Sequence, residues 1–183
     1  MSFSTAPGIL IAVPQLTDPN FHRSVVVMIE HNHEGAVGLV INQPTQHRNA
    51  EITRNLDLHW PGAPDARLLK GGPVEPHSLW ILHEDGWCFE ETVQVCSGVA
   101  VSRSREALHR MCRAEEECML LVVGYAGWSP GQLENEIAQG AWITSEASTD
   151  LVFQWPREDL WRRSLGIMGI DPAHLVEGGR VLN

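Results

Sequence analysis

The sequence predicts an α+β fold: one compact domain over residues 1–183, built on a strongly twisted, mainly antiparallel sheet flanked by about four short helices. Three observations carry this expectation. At 183 residues the chain has the length of one ordinary domain, enough to bury roughly 70% of its surface on folding. Its apolar runs are short, β-branched and set at hairpin spacing, which favours α+β over a doubly wound parallel sheet. No repeat, low-complexity tract or linker divides it.

Taken in order, Gly8 to Val13 is an almost wholly apolar run closed by Pro14 and suits a buried strand. Asp18-Pro19-Asn20 marks a turn in the loop that follows. Ser24 to His31 and Ala36 to Asn42 flank Asn32-His33-Glu34-Gly35, the strongest hairpin signal in the chain. Pro44 should stop the second arm, and Ile52 and Leu56 fit a short helix over Ala50 to Leu58. Arg67 to Lys70 leads into Gly71-Gly72-Pro73-Val74, a sharp corner of bare backbone. Ser78 to Glu84, Thr92 to Cys96 and Val99 to Ser102 read as strands. A helix from Arg105 to Arg113 should bury Leu108, Met111 and Cys112, and Cys118 to Tyr125 is a buried strand. Ser129-Pro130-Gly131-Gln132 has the form of a helix start, with Ser129 as N-cap and Gln132 completing a capping box. That helix should end at Gly140. Ala141 to Ser145 and Asp150 to Phe153 are the last expected strands, and a final helix from Pro156 to Met168 should bury Leu160, Trp161, Leu165 and Met168. The core is expected over 8–175, with the tail after Leu175 loosely held.

Composition narrows the functional classes. The longest apolar run, Met119 to Val123, falls far short of the ~20 residues of a membrane-spanning helix. The N-terminus has no basic patch ahead of its apolar run, so no signal peptide is expected and the chain reads as cytoplasmic. Cys88, Cys96, Cys112 and Cys118 form no Cys-x-x-Cys pair, which favours reduced thiols over a zinc site or a disulfide framework. The net charge of −10, from 13 basic against 23 acidic residues, opposes specific DNA binding, which depends on neutralising phosphates.

Several of these runs together resemble the YqgE/AlgH family. They include Ile11-Ala12-Val13-Pro14, Asp18-Pro19-Asn20-Phe21, Arg23-Ser24-Val25-Val26, Glu30-His31-Asn32 and Glu34 to Asn42 with Pro44. They continue with Gly71-Gly72-Pro73-Val74, Leu82-His83, Gly124-Tyr125-Ala126-Gly127-Trp128, Gly131-Gln132-Leu133-Glu134, Glu136-Ile137, Ala141-Trp142 and Trp161. The resemblance spans Ile9 to about Ile170. It implies a bacterial cytosolic protein of strongly coiled sheets, with activity undetermined and a role in transcriptional regulation attached to one branch by name. It implies no catalytic residue.

The motifs are weak as chemistry. Gly127-Trp128-Ser129-Pro130-Gly131 matches G-x-S-x-G, but the residue after the serine must donate an oxyanion N–H and Pro130 has none. His31 and His33 with His83 or Glu34 make a conceivable zinc set; His33, however, falls in the turn, and no metal or cofactor is expected. Gly71-Gly72-Pro73 could cradle an anion but lacks a Walker loop's Lys-Ser/Thr. Asp18 and Arg23 bracket Phe21 as a turn cap and a charged flank. Arg103, Arg105, Arg110 and Arg113 form the one basic cluster, followed at once by Glu115-Glu116-Glu117. Glu134 and Glu136 are two apart on one helix and should face different ways. Each tryptophan wants a partner for its N–H.

The resulting expectation is a non-catalytic cytosolic binding or regulatory protein, working through protein or small-ligand contacts and touching transcription indirectly. An enzyme with a site near Gly71-Gly72-Pro73 and His83, hydrolytic or metal-dependent, is one alternative; direct DNA binding is the other. The candidate ligand or partner contacts are Asp18, Arg23, His31, Asn42, Gly71, Gly72, Pro73, His83, Trp128, Gln132 and Glu134.

Overall fold

The computed structural model describes residues 4–171. Among them the order is β1 (Gly8–Ala12), β2 (Val25–Asn32), β3 (Gly35–Val40), β4 (Pro44–Arg48), α1 (Asn49–Arg54), β5 (Arg67–Lys70), β6 (Val74–His83), β7 (Val93–Cys96) and β8 (Val99–Ser102). Then come α2 (Arg105–Arg113), β9 (Met119–Trp128), α3 (Gln132–Ala138), β10 (Trp142–Ser145), a π-helical turn (Asp150–Gln154) and α4 (Leu160–Ile167). The strands make one open sheet in the order β10-β1-β2-β3-β9-β6-β8-β7, with β5 on β9 and β4 on β5. Only β5 and β9 run parallel, Leu69 opposite Val122. The α+β class follows.

The apolar runs of β1 and β2 are continuous because both faces are covered. Ile9, Ile11, Val25 and Val27 enter a central core closed by the π turn and α4. Leu10, Ala12, Val26 and Met28 face a second core under α3 and Phe21. This is the period-2 alternation of a strand with no polar side to show. The β2–β3 hairpin closes on His33-Glu34, with Asn32 opposite Gly35. Gly35 holds φ +133°, and a Cβ there would collide with the Trp128 carbonyl. A third core lies under α2, whose Ala107, Leu108, Met111 and Cys112 pack on Leu68, Ile81 and Leu121. Ser104 caps that helix through its side chain, accepting from the Ala107 N–H at 3.1 Å.

β9 is the strand all others refer to. Its first half pairs with β5 and β6, and its last three residues pair with β3. The division falls at Gly124, φ +69°. Gly71 and Gly72 cross this bend: the Gly71 N–H donates to Val123 O (2.8 Å), and its carbonyl accepts from Val40 (2.9 Å). A Cβ on Gly72, φ +154°, would fall on the Tyr125 carbonyl, and one on Gly71 would meet the Gly124 carbonyl. The glycine corner is thus a place where two backbones touch.

Four local expectations are corrected. The second arm does end before Pro44, at Val40, but Pro44 also starts β4, a strand not expected, which is largely exposed and pairs only with β5; proline is tolerated at the first residue of such a strand. Residues 150–153 form the π turn, not a strand, with Leu151 and Val152 buried in the central core. The N-cap of α3 is Gly131 in the left-handed region, φ 75°, not Ser129. The last helix begins at Leu160, and Met168 is exposed where burial was expected. The expectation for the tail after Leu175 lies outside the described residues.

Gly72→Ala should therefore lower stability by roughly 3 kcal/mol or more, combining left-handed strain with overpacking. Gly140→Ala, equally left-handed at φ +75° but with nothing within 4 Å of a new Cβ, should cost about 1–2 kcal/mol. Urea unfolding midpoints of the two variants measure the difference.

Candidate functional site

The residues singled out in the sequence do not converge on one place. Arg23 and Asn42 do meet, at the start of β2 and the end of β3. Asn42 Oδ1 accepts from the Val25 N–H at 2.8 Å, while its Nδ2 donates to the Arg23 carbonyl at 2.9 Å. The amide thereby brackets Arg23, which holds φ +52°, a strained conformation for a long side chain. Such strain persists only where its surroundings enforce it. The Arg23 guanidinium lies 5.3 Å from the Trp161 ring centroid, and the Trp161 N–H donates to the Ala12 carbonyl at 2.7 Å.

Around this pair is a cleft of about 410 Å³, also lined by His22, Gln43, Arg157, Glu158, Asp159 and Arg162. Arg157 is half-buried. Its Nη2 donates to the Val152 carbonyl at 2.6 Å and its Nη1 to the Ile41 carbonyl at 3.4 Å. No carboxylate lies within salt-bridge distance of it among the described residues. Burial pushes its guanidinium down to about 10, with the nearby Glu158 charge opposing the shift, so it stays cationic at neutral pH. Asp18 stands outside this cleft, as a turn cap accepting from the Asn20 N–H at 2.8 Å.

A second group fastens α3. His31 Nδ1 accepts the Thr5 N–H at 3.0 Å, so its proton sits on Nε2, 3.2 Å from Glu134 Oε1. The Glu134 carboxyl is held below the usual carboxylate range, first by its own backbone N–H and then by the His31 bond. Glu136 faces the other way, as its spacing from Glu134 requires. Its Oε2 accepts both indole N–H groups, from Trp128 (2.9 Å) and Trp142 (2.8 Å), and its Oε1 accepts Gln132 Nε2 (2.9 Å). Phe21 packs on both indoles. Trp128 is 5% exposed, which leaves it no surface to offer a partner. Ser129 gives its backbone N–H to Gln132 Oε1 at 3.1 Å.

His83 belongs to a third place. It lies opposite Met119, whereas Gly71 bonds Val123. Those positions are about 13 Å apart along β9 at strand rise, with Trp128 farther still, so the glycine corner, His83 and Trp128 share no pocket. The His83 Nδ1–H donates to the Glu84 carbonyl at 2.7 Å, which leaves Nε2 to accept the Ser102 hydroxyl at 2.8 Å. Ser102 then accepts from Thr92 at 2.7 Å. The pair has the bonds of a serine–histidine dyad, but both residues are 0% exposed, so no substrate reaches the serine. Burial pushes the His83 imidazole below its ordinary value. Among the described residues no His, Cys, Asp and Glu side chains group as a metal site would need.

With the geometry in place, similarity to known proteins decides the family. A family model described as AlgH-like matches residues 9–173. The chain belongs to the AlgH-like family. Its relatives include a UPF0301 protein of Anaeromyxobacter dehalogenans (strain 2CP-C), 41% identical and covering 95% of this chain and 93% of the relative. One from Myxococcus xanthus (strain DK1622) is also 41% identical, covering 94% and 96%. The solution structure of the AlgH protein from Pseudomonas aeruginosa matches with TM-score 0.74 at 32% identity, covering 96% of each chain. A crystal structure of a Corynebacterium diphtheriae protein shares the fold, with TM-score 0.76 at 22% identity and 96% and 93% coverage.

Several residues that carried the AlgH-like resemblance prove to be fasteners: the glycine crossing, the Glu136 indole clamp and the His31–Glu134 pair. Sequence reasoning missed Arg157, which lies in an unpatterned lead-in to α4, and also Ser102, whose partner His83 is 19 residues distant, and Thr92, whose partner Ser102 is ten. A signal for Arg157 did exist: it stands between Pro156 and Glu158 beside Trp155 and Trp161.

Two consequences can be measured. Glu136→Leu should lose roughly 2–5 kcal/mol, because it orphans two part-buried indole N–H groups, and Glu136→Gln less, since one acceptor remains; chemical unfolding reads both. The lowered His83 value makes its contribution to stability full above the ordinary 6.5. That contribution is lost as pH falls through the lowered folded value, because the unfolded chain binds the proton more readily. His83→Gln should accordingly flatten the acid limb of melting temperature against pH below about 6.5.

Proposed function

We propose that this AlgH-like protein is a non-catalytic cytoplasmic binding protein that takes a small anion in the Arg23–Arg157 cleft. Where it influences transcription, it does so through a protein partner. The observation that carries the reading is the half-buried Arg157 guanidinium, fixed by two backbone carbonyls and left without a carboxylate partner among the described residues. A cation fixed in this way favours an anionic ligand, and a guanidinium fork suits phosphate or carboxylate. Arg23 and Arg162 line the same cleft, giving three guanidinium groups against the two carboxylates of Glu158 and Asp159.

Direct DNA contact has less support. The chain carries −10 overall, and its one basic cluster is partly spent internally. Arg103 pairs with Glu75 (3.6 Å) and lies over Trp80, while Arg110 pairs with Glu106 (3.8 Å) and lies over Phe89. Among the described residues no helix is long and apolar enough to cross a membrane.

Titration calorimetry with inorganic pyrophosphate at low salt tests the reading. Binding in the micromolar to millimolar range is expected. Arg23→Gln and Arg162→Gln should each weaken it by about tenfold, the loss of one charge-assisted contact, with unfolding midpoints little changed. Absence of binding at millimolar pyrophosphate, or equal binding by both variants, removes this function.

A further inference from the structure

Arg157 stands in the walls of two cavities. One is the arginine cleft; the other, about 530 Å³, lies between the start of α1, the loop before β5, the start of β9 and the π turn. That volume is ordinary for a small-molecule site. Trp60, Phe153 and Trp155 supply its aromatic lining. Asn49 lines it too: the residue is 2% exposed, and its Oδ1 is buried without a hydrogen-bond donor. Buried acceptors lacking a donor are rare in native proteins. The χ2 torsion of asparagine is broad, so this oxygen can turn toward an incoming N–H at little cost. The rim adds the exposed carboxylate of Asp65. On one side of Arg157 thus stand the Asn49 acceptor, the Asp65 and Glu117 carboxylates and the aromatic surface, with Arg67 among them; on the other stand Arg23 and Arg162, with Glu158 and Asp159.

We infer that the ligand is a mononucleotide-class molecule, its amino-bearing base in the Asn49 cavity and its phosphate at Arg157. This rests on the anion-binding reading of the cleft. The base offers a flat ring to the aromatic lining and an amino N–H to Asn49 Oδ1. Asp65 can accept from a sugar hydroxyl, and the guanidinium fork takes phosphate oxygens. A bare phosphate would satisfy Arg157 and leave Asn49 as it is; a nucleoside would do the reverse.

The test compares AMP, GMP, CMP and inorganic phosphate by titration calorimetry at one ionic strength. At least one nucleotide should bind about tenfold or more tighter than phosphate. Asn49→Leu should bring that nucleotide down to the level of phosphate while leaving phosphate affinity and melting temperature unchanged. If phosphate binds and no nucleotide exceeds it, the anion cleft stands and the base site falls. If neither binds, both readings fall. An Asn49→Leu variant that folds but loses phosphate as well overturns the assignment, since Asn49 would then act only on the framework. Should that variant fail to fold, the wild-type protein answers with purine riboside monophosphate, which lacks the amino group of AMP. It should bind about tenfold more weakly than AMP, and equal affinity overturns the proposal.

Discussion

The architecture depends on one contact: the backbone of Gly71-Gly72 lying against Gly124-Tyr125-Ala126 with no side chain between them. There β9 exchanges β5 for β3 as its neighbour, so one strand serves two halves of a sheet. Any Cβ would force the halves apart and misplace Val40, whose N–H is held by the Gly71 carbonyl. From Val40 the chain passes to Ile41 and Asn42, which set Arg157 and Arg23. The glycines suspected of cradling a ligand act at one remove: they place the strand end that shapes the cleft.

Legibility followed the range of the forces. The β2–β3 hairpin and α2 were readable because their signals are local, namely β-branched runs about a turn and buried residues spaced three and four apart. Strand β4 was not, since its five largely exposed residues carry no apolar pattern and owe their form to β5. Leu151 and Val152 look like strand because they are buried, but it is α4 and the central core that bury them, and the backbone there is helical. At α3 the serine and proline promised a cap two residues too early, and a glycine able to take positive φ became the cap.

The site was partly legible for the same reason. Arg23 and Asn42 stand in family-like runs, so the sequence could single them out, though not their bond across 19 residues. Arg157 acquires its character only when Val152 and Ile41, the latter 116 residues away, present their carbonyls to it. An acceptor without a donor, such as Asn49 Oδ1, has no sequence signature at all. Trp128, Trp142 and Glu136 stand in family-like runs as well. They carry strong chemistry, but it is turned inward, with one carboxylate satisfying two indoles.

The contrast between an arginine-lined cleft and a chain of net charge −10 has a kinetic consequence. An anion approaching from solvent meets repulsion from the whole molecule before it feels Arg23 and Arg157 at short range. Salt screens the distant repulsion first, since the Debye length is about 10 Å at 0.1 M, while the final contacts lie well inside that distance. Association should therefore quicken as moderate salt is added, the reverse of the behaviour of a basic protein capturing nucleic acid. The field of the molecule then acts as a filter, admitting anions by their fit to the cleft and not by charge alone.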